Sequence, residues 1–255
     1  MDERIPLACE RSLEKRGFSV IKLPPAKELS SAVKSHTDML IFFHNNTLIT
    51  SRQYFSENAK TFEQIQLSKD INIILSDEEQ LSEYPKDRIF NCLAVGSKFF
   101  AKTEYLSKEI VSYCTKNNIE LIPTNQGYPA CVTLAVGNLA ITSDAGMANT
   151  LQREGITPHI IDNSEKIKLP PYKFGFIGGS AGVYDNTVYF IGNLLSHPNG
   201  EEIEELLYDA GYSCVSLDEE SDSLFDMGGI IFLGAAAKNT AESGKNTNPK
   251  TPRRV

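Results

Sequence analysis

The sequence predicts an α/β domain in which a hairpin–helix–strand unit (ββαβ) repeats and closes into a ring of five. Three observations lead there. The tetrapeptide Leu93-Ala94-Val95-Gly96 returns as Leu134-Ala135-Val136-Gly137, each time at a predicted hairpin turn. Asn45-Asn46-Thr47 and Asp185-Asn186-Thr187 are near-identical turns in two further units, and the spacing of about 40 to 53 residues is that of a repeat architecture. Finally, the last unit lacks the helix and strand that the start of the chain supplies without a hairpin. If the ends meet, the array closes and leaves only short sheet edges.

The elements follow in order. A short helix is expected over 10–18, with Gly17 near its end, then a strand over 19–23 stopped by Pro24-Pro25. Unit one pairs the apolar runs 39–43 and 48–50 around His44-Asn45-Asn46-Thr47, followed by a helix over 57–67 and a strand over 71–75. Unit two opens after Tyr84-Pro85. Its hairpin arms are 89–95 and 98–101 around Gly96-Ser97, its helix runs to 116 with Thr103 as N-cap, and its strand is 119–123. Unit three starts at Gly127-Tyr128-Pro129, turns at Gly137-Asn138, begins a helix near Asp144 and ends on a strand over 158–161. Unit four holds the glycine-rich bend of 173–190 with its Asp-Asn-Thr turn, then a helix over 199–210 and a strand over 212–217. Unit five is the apolar stretch 225–233. The domain is therefore expected over 1–233, and 234–255, small, polar and basic, reads as a disordered tail.

Bulk properties exclude several function classes. A formal charge of −8 disfavours general nucleic-acid or anionic-membrane partners and suits a small cationic molecule. The longest apolar runs, 39–43 and 230–237, are too short to span a bilayer, and the start carries no apolar signal segment. The five cysteines are scattered without a CxxC pair, so reduced thiols in a cytoplasm are expected rather than a disulfide framework or structural zinc. The four histidines form no HxxxH or HExxH pattern, so no metal is expected. Gly-Gly-Ser-Ala-Gly at 178–182 is neither a Walker loop nor GxGxxG before a helix, which argues against a nucleotide.

Several segments are similar to a bacterial family of unassigned function with a guanidine-modifying-enzyme-like fold. They are His36-Thr37-Asp38-Met39, Gln126-Gly127-Tyr128 through Cys131, Ile141-Thr142-Ser143-Asp144, the Gly-Phe-Ile-Gly-Gly-Ser-Ala-Gly of 175–182, His197-Pro198 and Asp226-Met227-Gly228. The resemblance covers 1–233 in the right order. It implies a pentein-like five-bladed α/β propeller of ββαβ repeats, closed by the N-terminal helix and strand. Penteins include arginine deiminases, dimethylarginine hydrolases and amidinotransferases. The resemblance therefore implies a small-molecule hydrolase or transferase acting on an amidine, guanidine or amide carbon, with no cofactor. Guanidine-modifying penteins carry a catalytic Cys in the last repeat after a Gly-Gly turn; here that place reads Gly228-Gly229-Ile230-Ile231. The missing thiol favours a second reading, a non-catalytic pentein serving as a binding or assembly module. The resembling family also usually has a Lys before its mid-chain Cys, where this chain has Pro129-Ala130.

In a closed ring, the residues that begin each inner strand line one central funnel. His36 and Asp38, Asn91, Cys131, Gly178-Gly179 and Asp226 hold corresponding places in units one to five. Cys131 is the candidate nucleophile and His36 its base, approaching across the channel, with Asp38 holding the imidazole. Asp226 is the candidate partner of a cationic group, and Asn91, Gly178 and Gly179 are further substrate-binding candidates. Each has a structural alternative. For His36 and Asp38, two apart on a predicted strand, it is a bond to each other that closes the ring; for Cys131 it is the place of a small core residue. Asp144 is both a substrate-binding candidate and, standing before a helix, a candidate N-cap.

Overall fold

The computed structural model describes residues 1–67 and 71–233, so the predicted tail lies outside the described residues. Four three-stranded sheets share one construction, an antiparallel hairpin whose second strand pairs in parallel with a third strand. After α1 (Leu7–Lys15) and the single turn α2 (Thr37–Leu40), the first sheet takes β1 (Ile41–His44) and β2 (Thr47–Ser51). Helices α3 (Arg52–Glu57) and α4 (Ala59–Leu67) then lead to β3 (Asn72–Ser76). The second holds β4 (Cys92–Val95), β5 (Lys98–Ala101) and, after α5 (Lys108–Lys116), β6 (Glu120–Pro123). The third opens with α6 (Pro129–Val132) and holds β7 (Thr133–Val136), β8 (Leu139–Thr142) and, after α7 (Ala145–Arg153), β9 (Pro158–Ile160). Beyond β10 (Ile167–Lys168), the fourth holds β11 (Ala181–Tyr184), β12 (Thr187–Phe190) and, after α8 (Gly200–Asp209), β13 (Ser213–Ser216). Strand β14 (Leu224–Phe225) pairs in parallel with β10 in a separate two-stranded sheet. Every sheet is open. Among the described residues no helix is long and apolar enough to cross a membrane.

Turn chemistry sets the hairpins. Asn45 and Asn46 have φ of 45° and 59°, the left-handed pair of a type I′ turn, which matches the twist of the flanking strands. Gly96 and Gly137 open their two-residue loops at φ 58° and 56°, and these matching tips touch: the Gly96 N–H donates to the Gly137 carbonyl at 2.7 Å. Helix starts follow local side-chain bonding. Thr103, the expected N-cap, instead opens a 3₁₀ turn, and Ser107 caps α5, accepting from the Glu109 N–H at 3.3 Å. The helix expected over 57–67 begins earlier and is split, because the Asn58 amide bonds the Tyr54 carbonyl at 3.0 Å and interrupts the turn.

The fifth unit departs from the expected pattern. The strand predicted over 19–23 is a lone bridge between Leu23 and Asp2, and the apolar stretch after β14 is not a ladder strand. Gly228 and Gly229 stand at φ 68° and 80°, which no strand can continue through. The backbone beyond them is carried by its hydrogen bonds to the fourth unit, Gly229 to Gly179 and Ile230 to Ala181.

The core is shared between successive units. Phe42 and Ile49 pack with Phe99 and Ile110, while Leu93 and Phe100 pack with Val132 and Leu151. Leu134 and Ile141 pack with Phe190 and Leu207. Tyr189 and Ile191 then pack with Ile5, Cys9 and Leu13 of the N-terminal segment and with Ile230. Ile231 and Leu233 lie against the cluster of Met39, Leu40 and Leu48, so the end of the described chain meets its beginning. Each such side chain contributes about 1.5–3 kcal/mol when fully buried.

Gly182 shows how tightly that last contact is made, since a Cβ there would strike the backbone of Ile230. Gly182→Ala is expected to cost about 1–3 kcal/mol through overpacking. That should appear as a lower urea midpoint at unchanged m; an unchanged midpoint would mean that Ile230 does not pack on β11.

Candidate functional site

Five short segments, one from each unit, meet at one place. In unit one, the backbone N–H of Asp38 donates to the Gly228 carbonyl at 3.1 Å, which fixes the first turn of α2. Asp38 Oδ2 accepts from Asn91 Nδ2 at 3.0 Å and from the Cys131 thiol at 2.6 Å. Asn91 Nδ2 also lies 3.3 Å from Cys131 Sγ, and its Oδ1 accepts from the Ala130 N–H at 3.0 Å. Pro129 opens α6 at a position where a missing N–H costs nothing, and so sets Cys131 in the second half of a four-residue helix. A side chain on Gly178 would strike the carbonyls of Ala130, Cys131 and Thr133, and one on Gly179 would strike the Asp226 carboxylate. The Gly179 carbonyl accepts from Met227 and Gly229, each at 2.8 Å. Asp226 in turn accepts from Phe176 N–H at 2.9 Å and Gly228 N–H at 3.2 Å. The contacts thus run from unit one through two, three and four to the last segment and back.

The electrostatics of this cluster are unusual. Burial pushes the Cys131 thiol well above its ordinary range, and the neighbouring Asp38 and Asp226 push it further. The thiol is therefore protonated and donates to Asp38. Burial also lifts Asp226 to about 6, with Asp38 adding to the rise and His36 opposing it. Asp38 Oδ1 is buried without a hydrogen-bond partner among the described residues. The only basic side chain beside these carboxylates in the described ion pairs is His36, which is 1% exposed. Its Nδ1 is 3.8 Å from Asp226 and its Nε2 3.9 Å from Asp2, too far for hydrogen bonds. Asp2 is itself held by Arg4 through two charged contacts of 2.9 and 2.6 Å. The other thiols are held up as well: burial raises Cys9 to about 12, Cys114 and Cys214 to about 11, and Cys92 well above its usual range.

The sequence-predicted residues are thus partly brought together. Cys131, Asp38, Asn91, Asp226 and the two glycines share the cluster, but the expected His36–Asp38 pair does not form. These residues open a helical turn rather than a strand, and side chains two apart on a helix do not face each other. Asp38 turns to Cys131, and His36 turns to Asp226 and Asp2. The sulfur accordingly bonds Asp38 and Asn91 rather than the imidazole. The glycines serve close packing, since protein atoms fill the space where a side chain would go. Asp144 is the N-cap of α7, accepting from the Met147 N–H at 2.7 Å, and its other oxygen takes Gln126 Nε2 at 2.7 Å. Sequence reasoning missed Asp2, which no local pattern marks. It also missed Gly228, whose α-carbon lies against His36 and Asp38 and which the double glycine could have flagged.

Residues 1–231 match the profile of a family of unknown function, DUF6873. No curated protein matches the chain. Among solved structures it is similar to DDAH from Pseudomonas aeruginosa, a mutant complexed with citrulline. The TM-score is 0.51 at 10% identity, covering 85% of this chain and 82% of that one. A dimethylarginine dimethylaminohydrolase adduct with S-methyl-L-thiocitrulline gives a TM-score of 0.50 at 10% identity, with 83% and 79% covered. The fold is thus an α/β fold similar to that of pentein enzymes.

Asp226 gives the cluster a measurable pH signature. In the fold its proton is held to about pH 6, whereas an unfolded Asp releases it near pH ~3.9. Between those limits the folded chain binds the extra proton, so the stability contributed by this group falls as pH rises from about 4 to 6 and then levels. Asp226→Asn is expected to remove that decline. The difference in urea midpoint between pH 4.5 and pH 7 should shift in the variant's favour at the higher pH, and an unchanged difference would place the Asp226 titration elsewhere.

Proposed function

We propose that this chain, which belongs to the DUF6873 family, is a five-bladed pentein-like propeller over 1–233. Its centre takes the cationic amidine or guanidine group of a small molecule, and Cys131 acts there as nucleophile. The pairwise sharing of core between successive units and the circuit of contacts at the centre support the five-unit reading. The observation that carries the chemistry is the 2.6 Å hydrogen bond from the Cys131 thiol to the half-buried Asp38, beside the buried carboxylate of Asp226.

Asp38 has no basic partner among the described ion pairs and Asp226 only the His36 imidazole at 3.8 Å, which leaves negative charge to be matched. An amidinium matches it well, because its planar N–H pairs bond carboxylates in parallel. Its arrival also reverses the field on the sulfur. The carboxylates that hold the thiol protonated become paired, and the adjacent cation favours thiolate. Asp38, already the acceptor of the thiol hydrogen bond, takes the proton. The sulfur then bonds the amidine carbon, the carbon–nitrogen bond breaks, and the leaving amine departs with the proton held on Asp38. Water, or a second amine in a transferase, displaces the sulfur and restores the thiol. His36, fixed between Asp2 and Asp226, acts as a positioning residue for Asp226.

The alternative, a ring that binds or assembles without catalysis, draws on a specific observation too: the thiol is 6% exposed and protonated. Peptide-resolved labelling of the native chain with chloroacetamidine and iodoacetamide separates the two. The enzyme reading expects Cys131 to react at least about tenfold faster with the amidine reagent, a factor matching one unit of thiol pKa. Asp226→Asn should abolish that preference. Equal rates, or labelling only on unfolding, would leave the binding module as the function.

A further inference from the structure

In each complete sheet the middle strand runs antiparallel to the first strand and parallel to the third. The fifth unit has the outer two places without the middle one. Residues 230–233 follow the central segment as a first strand does, residues 18–23 follow α1 as a third strand does, and both line a groove of about 480 Å³. Each segment keeps the alternation of a strand without being one. Phe18, Val20, Ile230 and Phe232 pack with the cluster of Leu13 and Tyr189, whereas Ile21, Leu23, Ile231 and Leu233 pack with that of Met39 and Leu40. Among the described residues no hydrogen bond uses the N–H of Ser19, Val20 or Ile21, nor that of Ile231, Phe232 or Leu233. Two rows of open backbone donors along one groove are a template for a strand.

The length of the gap identifies what fills it. In three complete sheets the residue after the last paired position of the third strand donates to the last residue of the middle strand: Thr124 to Ala101 at 2.9 Å, Ile161 to Thr142 at 3.0 Å and Leu217 to Phe190 at 2.9 Å. Leu23 makes the same bond to Met1 at 2.8 Å, and the Met1 amine donates to the Ile21 carbonyl at 3.1 Å. Met1 therefore holds the last place of a middle strand. Those three middle strands have four residues each, so three places lie open ahead of Met1. The described residues end beside them at Leu233, and the chain goes on as Gly234-Ala235-Ala236-Ala237-Lys238. Gly96 and Gly137 open the two-residue loops of the second and third hairpins, and Gly234 stands at the same point, directly after the first strand's place. A two-residue loop over 234–235 leaves 236–238 for the open places, opposite Leu233, Phe232 and Ile231. Side-chain size agrees. The rings of Phe18 and Phe232 approach to 5.0 Å between centroids, so the place beside Phe232 suits a small residue. It falls to Ala237, as the equivalent place in the third sheet falls to Ala140. Lys238 can lay its apolar stem along Ile21 and Ile231 with its ammonium in water.

We propose that residues 236–238 dock in this groove as the middle strand of the fifth unit, antiparallel to 231–233 and parallel to 19–21, so that the chain's own C-terminal segment closes the ring. The proposal rests on the five-unit reading above and is independent of the chemistry at Cys131. Continuing the ladder of Met1, Ala237 donates to the Ser19 carbonyl and accepts from the Ile21 N–H, while Ala236 and Lys238 exchange bonds with Leu233 and Ile231. The test is residue-resolved amide hydrogen exchange of the full chain, read by NMR. The amides of 236–238, Ile21, Ile231 and Leu233 should exchange at least about tenfold more slowly than those of 240–255. Ala237→Phe, too large for its place, should erase that difference, whereas Ala241→Phe, beyond the strand, should keep it. Exchange at 236–238 as fast as at 240–255 would overturn the proposal. If Gly229 and Ile230, which bond the fourth unit, stay slow in that case, the five-unit reading survives; if they too are fast, both are lost. Protection that survives Ala237→Phe also overturns it, as does protection that fades on dilution, which means a second copy's tail in the groove. Should Ala237→Phe release the amides of the four complete sheets as well, the variant has unfolded, and the wild-type contrast between 236–238 and 240–255 decides alone.

Discussion

The structure depends on how segment 226–230, near the end of the described residues, is tied in. Asp226 accepts two backbone N–H groups, from Phe176 and from Gly228, and its own N–H reaches the Lys168 carbonyl at 3.0 Å. Met227 and Gly229 both donate to Gly179, and Gly228 receives the N–H of Asp38. One short stretch thereby binds the fourth unit to the first. A buried carboxylate is costly unless its oxygens are satisfied, and here the satisfying groups are backbone donors that also fix the fold. Architecture and site therefore share one residue, and the left-handed glycines after it let the chain pass between His36 and the carbonyl of Gly179.

Charge is distributed with the same economy. The centre concentrates acids and a thiol, while Arg88 is held apart among the rings of Tyr84, Tyr105 and Tyr128. The two regions are connected by short backbone contacts through Asn91 and Tyr128 rather than by an ion pair between them.

Much of this architecture was legible in the sequence because its determinants are local. Paired asparagines and glycines announce their turns, and the repeated Leu-Ala-Val-Gly marks equivalent hairpins. What was not legible depends on distant partners. Thr37 and Asp38 read as the approach to a strand, but carbonyls of residues 227 and 228 draw their N–H groups into a helical turn. That turn sends Asp38 to the sulfur and His36 towards Asp226 and Asp2. Thr103 reads as the cap of the second unit's helix, but the bonding of Ser107 to Glu109 places the cap four residues later. Arg88 belongs to no local pattern, and nothing in its neighbours' identities foretells its burial beside three tyrosine rings.

The protonated state of the thiols has a consequence for oxidation. Peroxide attacks thiolates, and sulfenic acid forms where thiolate character and exposure coincide. In this chain burial raises the pKa of all five cysteines, and at the centre two carboxylates add to it. Raised pKa values lower the thiolate fraction on which attack by oxidants and electrophiles depends. Under the proposed function, the cation that arrives at the centre is also what arms the sulfur of Cys131.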